Sequence, residues 1–319
     1  MTTYLWSMAA GSVVILGLYG LRCALAVREP RLKRAPWLTA LLSLIFGAAF
    51  GLVLARMSYA LLMQELDFEY DGIEALYQLL ELSVTRMSFF GGAAGVLLGV
   101  LLANRLTRKG AITAGLDAFA PFGALLVALF RMGELAYGSY GLGTSLAEDS
   151  PFAFFPFAVQ VKVDGGYSYW GWAICVLSAA FALVWAAVAL LRFRRGRTGL
   201  CFTLTLFYLA LPQVLCESLR NRPMLWLFVR PEQVLCAVIM FAVLLVWLLK
   251  SGRGMKPLRR WAPMAGLLVC VGLVVATEFA IDGKLFDLPH TVCYAFMIAV
   301  LAVMGVCGAV AAKRWSSEA

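Results

Sequence analysis

Long apolar stretches separated by short polar connections run through most of this 319-residue chain. A helix that crosses a bilayer needs roughly 20 mostly apolar residues, and about nine stretches have that length. They lie at 4–26, 37–62, 87–104, 114–136, 169–191, 199–217, 232–250, 261–281 and 291–312. The pattern therefore predicts an all-α, polytopic integral membrane protein with about nine transmembrane helices.

The basic residues fall on every second connection, and this alternation predicts the orientation of the helices. They are concentrated near 28–34, 105–109, 192–197 and 250–260, and in the tail at 313–314. Cytoplasmic loops carry an excess of lysine and arginine, so these connections are predicted to be cytoplasmic. The N-terminus is then outside and the C-terminus cytoplasmic. No basic residue precedes the first apolar stretch, so we expect a retained helix rather than a signal peptide.

Composition supports a membrane protein and narrows the chemistry. The chain is 62% hydrophobic and 14% charged, with a net charge of +9. Most of its 27 basic residues lie in the cytoplasmic connections, so the charge indicates anionic lipid rather than nucleic acid. The eight cysteines lie in or beside apolar stretches without CxxC spacing, which is typical of packing residues. With His290 the single histidine, a multi-histidine metal site is excluded, and no cofactor is expected.

Two of the predicted outer connections are long. Residues 63–86 are acidic, with helix-like amphipathic spacing over 73–82, and we expect a solvated cap on the membrane surface. Residues 137–168 are rich in glycine and aromatic residues, which predicts an irregular element with a short hairpin around 161–167. The chain has no internal repeat and no soluble domain.

Six polar side chains within or just beyond the apolar stretches fall towards the predicted outer side, whereas Asp117 lies near the inner start of its stretch. Such groups are costly in a membrane and usually mark a functional site. Spacings of three or four residues place neighbouring members on one helix face. Interhelical ion pairs without a further function are the alternative. The residues are Arg56, Arg131, Glu134, Gln213, Glu217 and Arg220.

Four short motifs resemble those of the bacterial prolipoprotein diacylglyceryl transferase family. They are Met87–Val96, Asp117–Pro121, Arg131–Gly133 and Glu217–Arg220, in the order and spacing of that family. The resemblance covers roughly residues 10–250. Phe90 occupies the position of the family's histidine, and Glu134 follows the Arg-x-Gly element where the family has asparagine.

The resemblance implies a phospholipid-dependent transferase at the outer leaflet of the bacterial plasma membrane. That family moves a diacylglyceryl group from phosphatidylglycerol to a prolipoprotein cysteine, so these two molecules and the membrane are the implied partners. The implied domains are a seven-helix transferase-like domain over 1–250, with outer loops 63–86 and 137–168, and a two-helix C-terminal extension over 251–319.

The resemblance also implies roles for individual residues. Arg131 would stabilise the phosphate, and Glu134 or Glu217 would act as base or positioning group; these three are the catalytic candidates. The candidates for substrate binding are Arg56, Ser88, Gly91, Gly92, Gly133, Gln213 and Arg220.

Two other functions are compatible with the sequence. A catalytically degenerate relative would bind lipid or a membrane partner without turnover. A small-solute transporter would use the same buried charges, although the chain lacks the matched, interrupted helices of many transporters.

Overall fold

The computed structural model describes residues 2–26, 34–62, 86–107, 112–163, 167–192, 197–221, 230–251, 256–285 and 288–317. Within these ranges, nine helices are long and apolar enough to cross a membrane, as predicted. They are α1 (Thr2–Ala26), α2 (Arg34–Leu62), α3 (Phe89–Thr107), α4 (Ile112–Gly133), α5 (Ile174–Arg192), α6 (Leu200–Ser218), α7 (Pro231–Lys250), α8 (Pro257–Ile281) and α9 (His290–Ser317).

The apolar sequence places these segments in the hydrocarbon of a membrane, and this environment favours helices. In hydrocarbon every backbone N–H and C=O must be satisfied within the protein, and a helix does this within one segment. Proline marks two of the helix starts, because Pro231 and Pro257 occupy the first positions of α7 and α8, where no N–H partner is needed. Of the acidic segment 63–86, only Arg86 belongs to the described residues, so the predicted cap and its amphipathic stretch lie outside them.

The two largest buried apolar clusters of the described residues lie in opposite halves of the chain. One lies between α6, α7, α8 and α9 and contains the fully buried Phe207, Trp247 and Met304. The other joins α1, α2, α3 and α4, and in it Tyr19 packs edge-on against Phe119 at a ring distance of 5.7 Å. Helix α6 also contacts α4 and α5, so it is the central element of the bundle.

A stripe of glycines brings α2 and α3 into backbone contact. A Cβ atom at Gly95 would lie 2.2 Å from the carbonyl oxygen of Phe50, and one at Gly99 would lie 2.4 Å from the amide nitrogen of Gly47. Gly91, one turn earlier, faces the carbonyl oxygen of Leu54 at 2.4 Å in the same way. Small residues every fourth position are a common basis for close helix packing in membranes.

Helices α4 and α6 run in the same direction and are fastened together at their first turns. The carboxylate of Asp117 in α4 accepts hydrogen bonds from the backbone N–H groups of Gly199 and Phe202, the latter at 2.8 Å. These N–H groups belong to the start of α6, where a carboxylate satisfies donors that the helix cannot pair itself. The last turns of both helices therefore lie together at the opposite end of the bundle.

The predicted outer loop 137–168 contains a small antiparallel sheet. Strands β1 (Ser145–Leu146), β2 (Ala158–Val163) and β3 (Tyr167–Trp172) pair in the order β1-β3-β2. Val161 pairs with Tyr169 and Val163 with Tyr167, which confirms the hairpin predicted around 161–167. This sheet is a minor addition to a mostly helical fold.

The glycine stripe leads to a stability prediction. Replacing Gly95 with alanine should destabilise the protein by about 1–3 kcal/mol, because the new methyl group must push two helix backbones apart. Thermal unfolding in detergent micelles measures the change. Gly92→Ala is the matched control on the same helix, since a Cβ there would lie 3.5 Å from the Cβ of Ala55, an ordinary contact. Equal unfolding temperatures for the two variants would contradict the proposed close contact.

Candidate functional site

The last turn of α4 presents the first two members of a charged cluster. Arg131 lies in this turn, and Glu134 begins the 3-10 helix Glu134–Tyr140 that continues from α4. Because they are three residues apart, their side chains share a face and form an ion pair. Arg131 is 1% exposed and Glu134 is 14% exposed, so the pair lies in the protein with the carboxylate on its more open side.

Two residues at the end of α6 complete the cluster. The Arg220 guanidinium lies 3.4 Å from the second carboxylate oxygen of Glu134, and its Nε donates to both carboxylate oxygens of Glu217 at 3.0 and 3.1 Å. The cluster is thus a chain in which Glu134 bridges Arg131 and Arg220, while Glu217 holds the far side of Arg220. We call these four residues the charged cluster.

Arg220 remains a cation in this setting. Burial would lower its pKa, but the Glu217, Glu134 and Glu232 carboxyl groups outweigh that effect and raise the pKa above its ordinary value. The positive charge of Arg220 is therefore available over the whole physiological pH range.

A hydrogen-bonded layer lies behind Glu217 and fixes its orientation. Gln213 Nε2 donates to Glu217 Oε1 at 2.8 Å, and Ser178 Oγ donates to the Gln213 side-chain oxygen at 3.1 Å. Glu232, from the first turn of α7, adds a third buried carboxyl group beside Glu217. With 2% exposure, Glu217 is enclosed by these partners.

An aromatic ring covers Arg131 from the start of α3. The guanidinium carbon of Arg131 lies 3.6 Å from the centre of the Phe89 ring, in cation–π contact. Phe90 meets Phe89 edge-on and packs against the core between α6, α7, α8 and α9. Phe90 is partly buried, so an apolar ring packed against this core follows directly after the Phe89 ring.

Arg131 retains unused hydrogen-bond capacity. Its Nε and Nη2 are buried and form no hydrogen bond to any residue in the described part of the chain. Buried donors without an acceptor carry a free-energy cost, which an anion bound against them would remove. The arrangement is suited to a group with several oxygen acceptors.

The remaining candidate residues lie around the start of α3. Ser88 is the N-cap of this helix, since its Oγ accepts a hydrogen bond from the backbone N–H of Gly91 at 3.2 Å. Arg56 is 4% exposed and donates to the carbonyl of Arg86 at 3.4 Å, which places it near the same helix start. Gly91 faces the backbone of α2, and Gly92 lies next to it in ordinary contact distance of α2.

The loop that leads into the three-stranded sheet holds the backbone of Arg220 in place. Arg220 forms an isolated antiparallel bridge with Gly143, and the Thr144 N–H donates to the Leu219 carbonyl at 2.8 Å. Gly143 must be glycine, because a Cβ there would lie 2.7 Å from the Leu219 carbonyl oxygen. Nearby, a Cβ at Gly141 would lie 2.1 Å from the carbonyl oxygen of Glu134. The loop predicted as irregular is thus part of the support of the site.

Sequence reasoning identified most of the cluster but missed part of its surroundings. Arg131, Glu134, Gln213, Glu217 and Arg220 are brought together, and Gly133 directly precedes Glu134. Four further polar residues around Glu217 were not proposed as site residues. For Glu232 and Glu278, the sequence did contain an indication, because each is a carboxylic residue close to the end of an apolar stretch. These four are Ser178, Arg230, Glu232 and Glu278.

The family model for prolipoprotein diacylglyceryl transferase matches residues 8–249 of the chain. The chain belongs to the prolipoprotein diacylglyceryl transferase family. No curated protein and no solved structure matches it. The family match and the membrane-spanning helices together make the chain a multi-pass membrane protein of lipoprotein biosynthesis, with a transferase function of the type that defines this family.

The charged cluster should stabilise the fold cooperatively. In a double-mutant cycle of Glu217→Gln and Arg220→Gln, we expect a coupling energy of about 1–3 kcal/mol, because each single change leaves a buried partner unpaired. Unfolding of the four proteins in detergent measures this energy. The control is Glu148→Gln, which changes an exposed carboxylate of the outer loop and should leave stability unaltered. Additive effects of the two cluster variants would refute the pairing.

Proposed function

We propose that this protein transfers the diacylglyceryl group of phosphatidylglycerol to the cysteine of a prolipoprotein, at the outer leaflet of the bacterial plasma membrane. The observation that carries the proposal is the pair of buried, unpartnered N–H groups of Arg131. A guanidinium group binds phosphate oxygens through two parallel hydrogen bonds. A phosphodiester seated against Arg131 would satisfy both donors.

The reaction is a displacement at carbon. The cysteine sulfur attacks the carbon of the diacylglyceryl group that is bonded to the phosphate oxygen, so a carbon–sulfur bond forms as that carbon–oxygen bond breaks. Glycerol phosphate leaves with the bonding electron pair, and the thiol proton passes to a base. Because negative charge grows on the departing phosphate, a cation fixed beside it stabilises the transition state.

Arg131 is the proposed phosphate-stabilising residue, and Arg220 is proposed to bind the head group. In the free protein both guanidinium groups are engaged by Glu134. A phosphate bound at the Nε and Nη2 donors of Arg131, which Glu134 does not use, adds negative charge beside both guanidinium groups and weakens their hold on the Glu134 carboxylate. Glu134 then becomes the proposed acceptor of the thiol proton, a role open to a partly exposed carboxylate within the site.

Glu217 is better suited to positioning than to proton transfer. Arg220 and Gln213 both donate to its carboxylate, and its side chain is 2% exposed. We assign Glu217 to hold the Arg220 guanidinium in place. Gln213 in turn fixes Glu217, so it acts on the substrate indirectly.

The start of α3 is proposed to shape the entrance for the lipid. The Ser88 cap fixes the first turn of α3, and with it the Phe89 ring over Arg131. Gly91 permits the contact of this turn with α2, while Gly92 and Gly133 remain candidates for close approach to the lipid. Arg56 lies at the same helix start and is proposed as a further cation for the head group.

A lipid-binding protein without turnover is the second candidate function. The observation that favours it is the partly buried ring of Phe90 packed against the core, because the sequence resemblance assigns this position to the family's histidine. Such a protein would bind phosphatidylglycerol through the same arginines and would release no glycerol phosphate.

Replacing Arg131 with alanine should lower the rate of diacylglyceryl transfer by about 100- to 1000-fold, the usual effect of removing one preorganised group that stabilises developing charge. Arg131→Lys should restore only part of the rate, because an ammonium group cannot make the paired contacts of a guanidinium. The assay follows labelled phosphatidylglycerol transferred to a lipobox peptide in membranes that contain the purified protein.

Arg259→Ala is the matched control, since Arg259 is an exposed arginine at the start of α8 and lies outside the charged cluster. It should transfer lipid like the unaltered protein. Full activity of Arg131→Ala would remove Arg131 from the mechanism. Binding of phosphatidylglycerol without transfer by the unaltered protein would favour the second candidate function.

A further inference from the structure

The two helices that follow the family match are built into the same core as the transferase-like domain. The match ends at residue 249, and α8 and α9 lie beyond it. The hydroxyl of Tyr208 in α6 donates to the carbonyl of Gly305 in α9 at 2.9 Å, and a Cβ at Gly308 would lie 2.4 Å from the Phe207 ring. The proposed extension 251–319 thus packs closely on the central helix of the bundle.

One charged residue of the extension reaches the segment that leads into α7. Glu278, in the last turn of α8, forms an ion pair with Arg230 at 3.5 Å. Its Oε1 also accepts a hydrogen bond from Gln233 Nε2 at 2.7 Å. Glu278 and Arg230 are 18% and 17% exposed, so solvent screens their pairing only in part.

The two partners of Glu278 both bind the end of α6. Arg230 Nη1 donates to the carbonyl of Glu217 at 2.8 Å, and Gln233 Nε2 donates to the carbonyl of Val214 at 3.1 Å. The last four carbonyl groups of a helix have no partner within it, and the Glu217 carbonyl is one of these four, while that of Val214 directly precedes them. Arg220 follows directly after this helix end.

We propose that Glu278 is a positioning residue of the transferase site, acting from the C-terminal extension. Its carboxylate holds Arg230 and Gln233 against the last turn of α6, and this turn carries Glu217 and leads to Arg220. The extension is then part of the machinery that places the head-group cation. This inference rests on the proposed function for its kinetic test, and the family match does not include Glu278.

The test compares Glu278→Ala and Glu278→Gln with Asp282→Asn in the labelled-lipid assay. Glu278→Ala should raise KM for phosphatidylglycerol about five- to tenfold with little change in kcat, because Arg220 is displaced while Arg131 stays in place. Glu278→Gln keeps an oxygen acceptor for Gln233 and should give a smaller increase. Asp282→Asn changes an exposed carboxylate one turn further on, paired with Lys284, and should behave like the unaltered protein.

A cycle with Arg220→Ala separates positioning from general support of the fold. If Glu278 acts through Arg220, Glu278→Gln should raise KM in the unaltered background and have no further effect once Arg220 is alanine. An unchanged KM for both Glu278 variants, or an equal effect in the two backgrounds, would overturn the proposal.

Failure of the proposed function gives a different result. In that case the unaltered protein transfers no lipid, and the same comparison is made on the dissociation constant for phosphatidylglycerol in nanodiscs. The positioning role is supported if Glu278→Ala binds more weakly than Asp282→Asn and if this difference disappears in the Arg220→Ala background. Equal binding by Glu278→Ala and Asp282→Asn overturns it.

Discussion

The site depends on one carboxylate that separates two buried cations. Arg131 and Arg220 come from different helices, and without Glu134 between them their charges would repel each other in a medium that screens poorly. Glu134 therefore allows two guanidinium groups to share one small volume. The same pairing leaves room for a ligand, because Glu134 contacts Arg131 through Nη1, while Nε and Nη2 form no hydrogen bond in the described part of the chain.

Several unrelated features of the chain converge on keeping this cluster in place. The glycine stripe allows α3 to pack closely on α2, and in this position the first turn of α3 places the Phe89 ring over Arg131. The loop before the small sheet holds the Arg220 backbone through Gly143. On the opposite side, Gln213 and Ser178 form a hydrogen-bonded wall behind Glu217. Preorganised charges are effective in catalysis because they do not need to reorient during the reaction.

The sequence predicted the helices well because length and apolarity are sufficient signals in a membrane. It also predicted which polar residues would meet, since Arg131 and Glu134 share a helix face by spacing alone and the basic connections indicate which helix ends lie together. The orientation of the termini rests on those connections and stays a prediction.

Other contacts could not be predicted, because they depend on how distant segments are placed. The spacing of Glu278 gives no indication that it would reach Arg230, and nothing in a glycine-rich loop specifies that Gly143 would pair with Arg220. The role of Ser88 in substrate binding stays a prediction; the structure adds that its hydroxyl caps α3, a contact that the sequence did not indicate.

The cap at Asp117 has a mechanical consequence for the bundle. It joins α4 and α6 through two hydrogen bonds to backbone N–H groups at one end, whereas the charged cluster joins them at the other end through ion pairs between side chains. The cluster lies roughly 20 Å from Asp117 by the rise of about 1.5 Å per helical residue. A tilt of one helix against the other about the Asp117 contact would therefore displace the cluster end much further than the capped end.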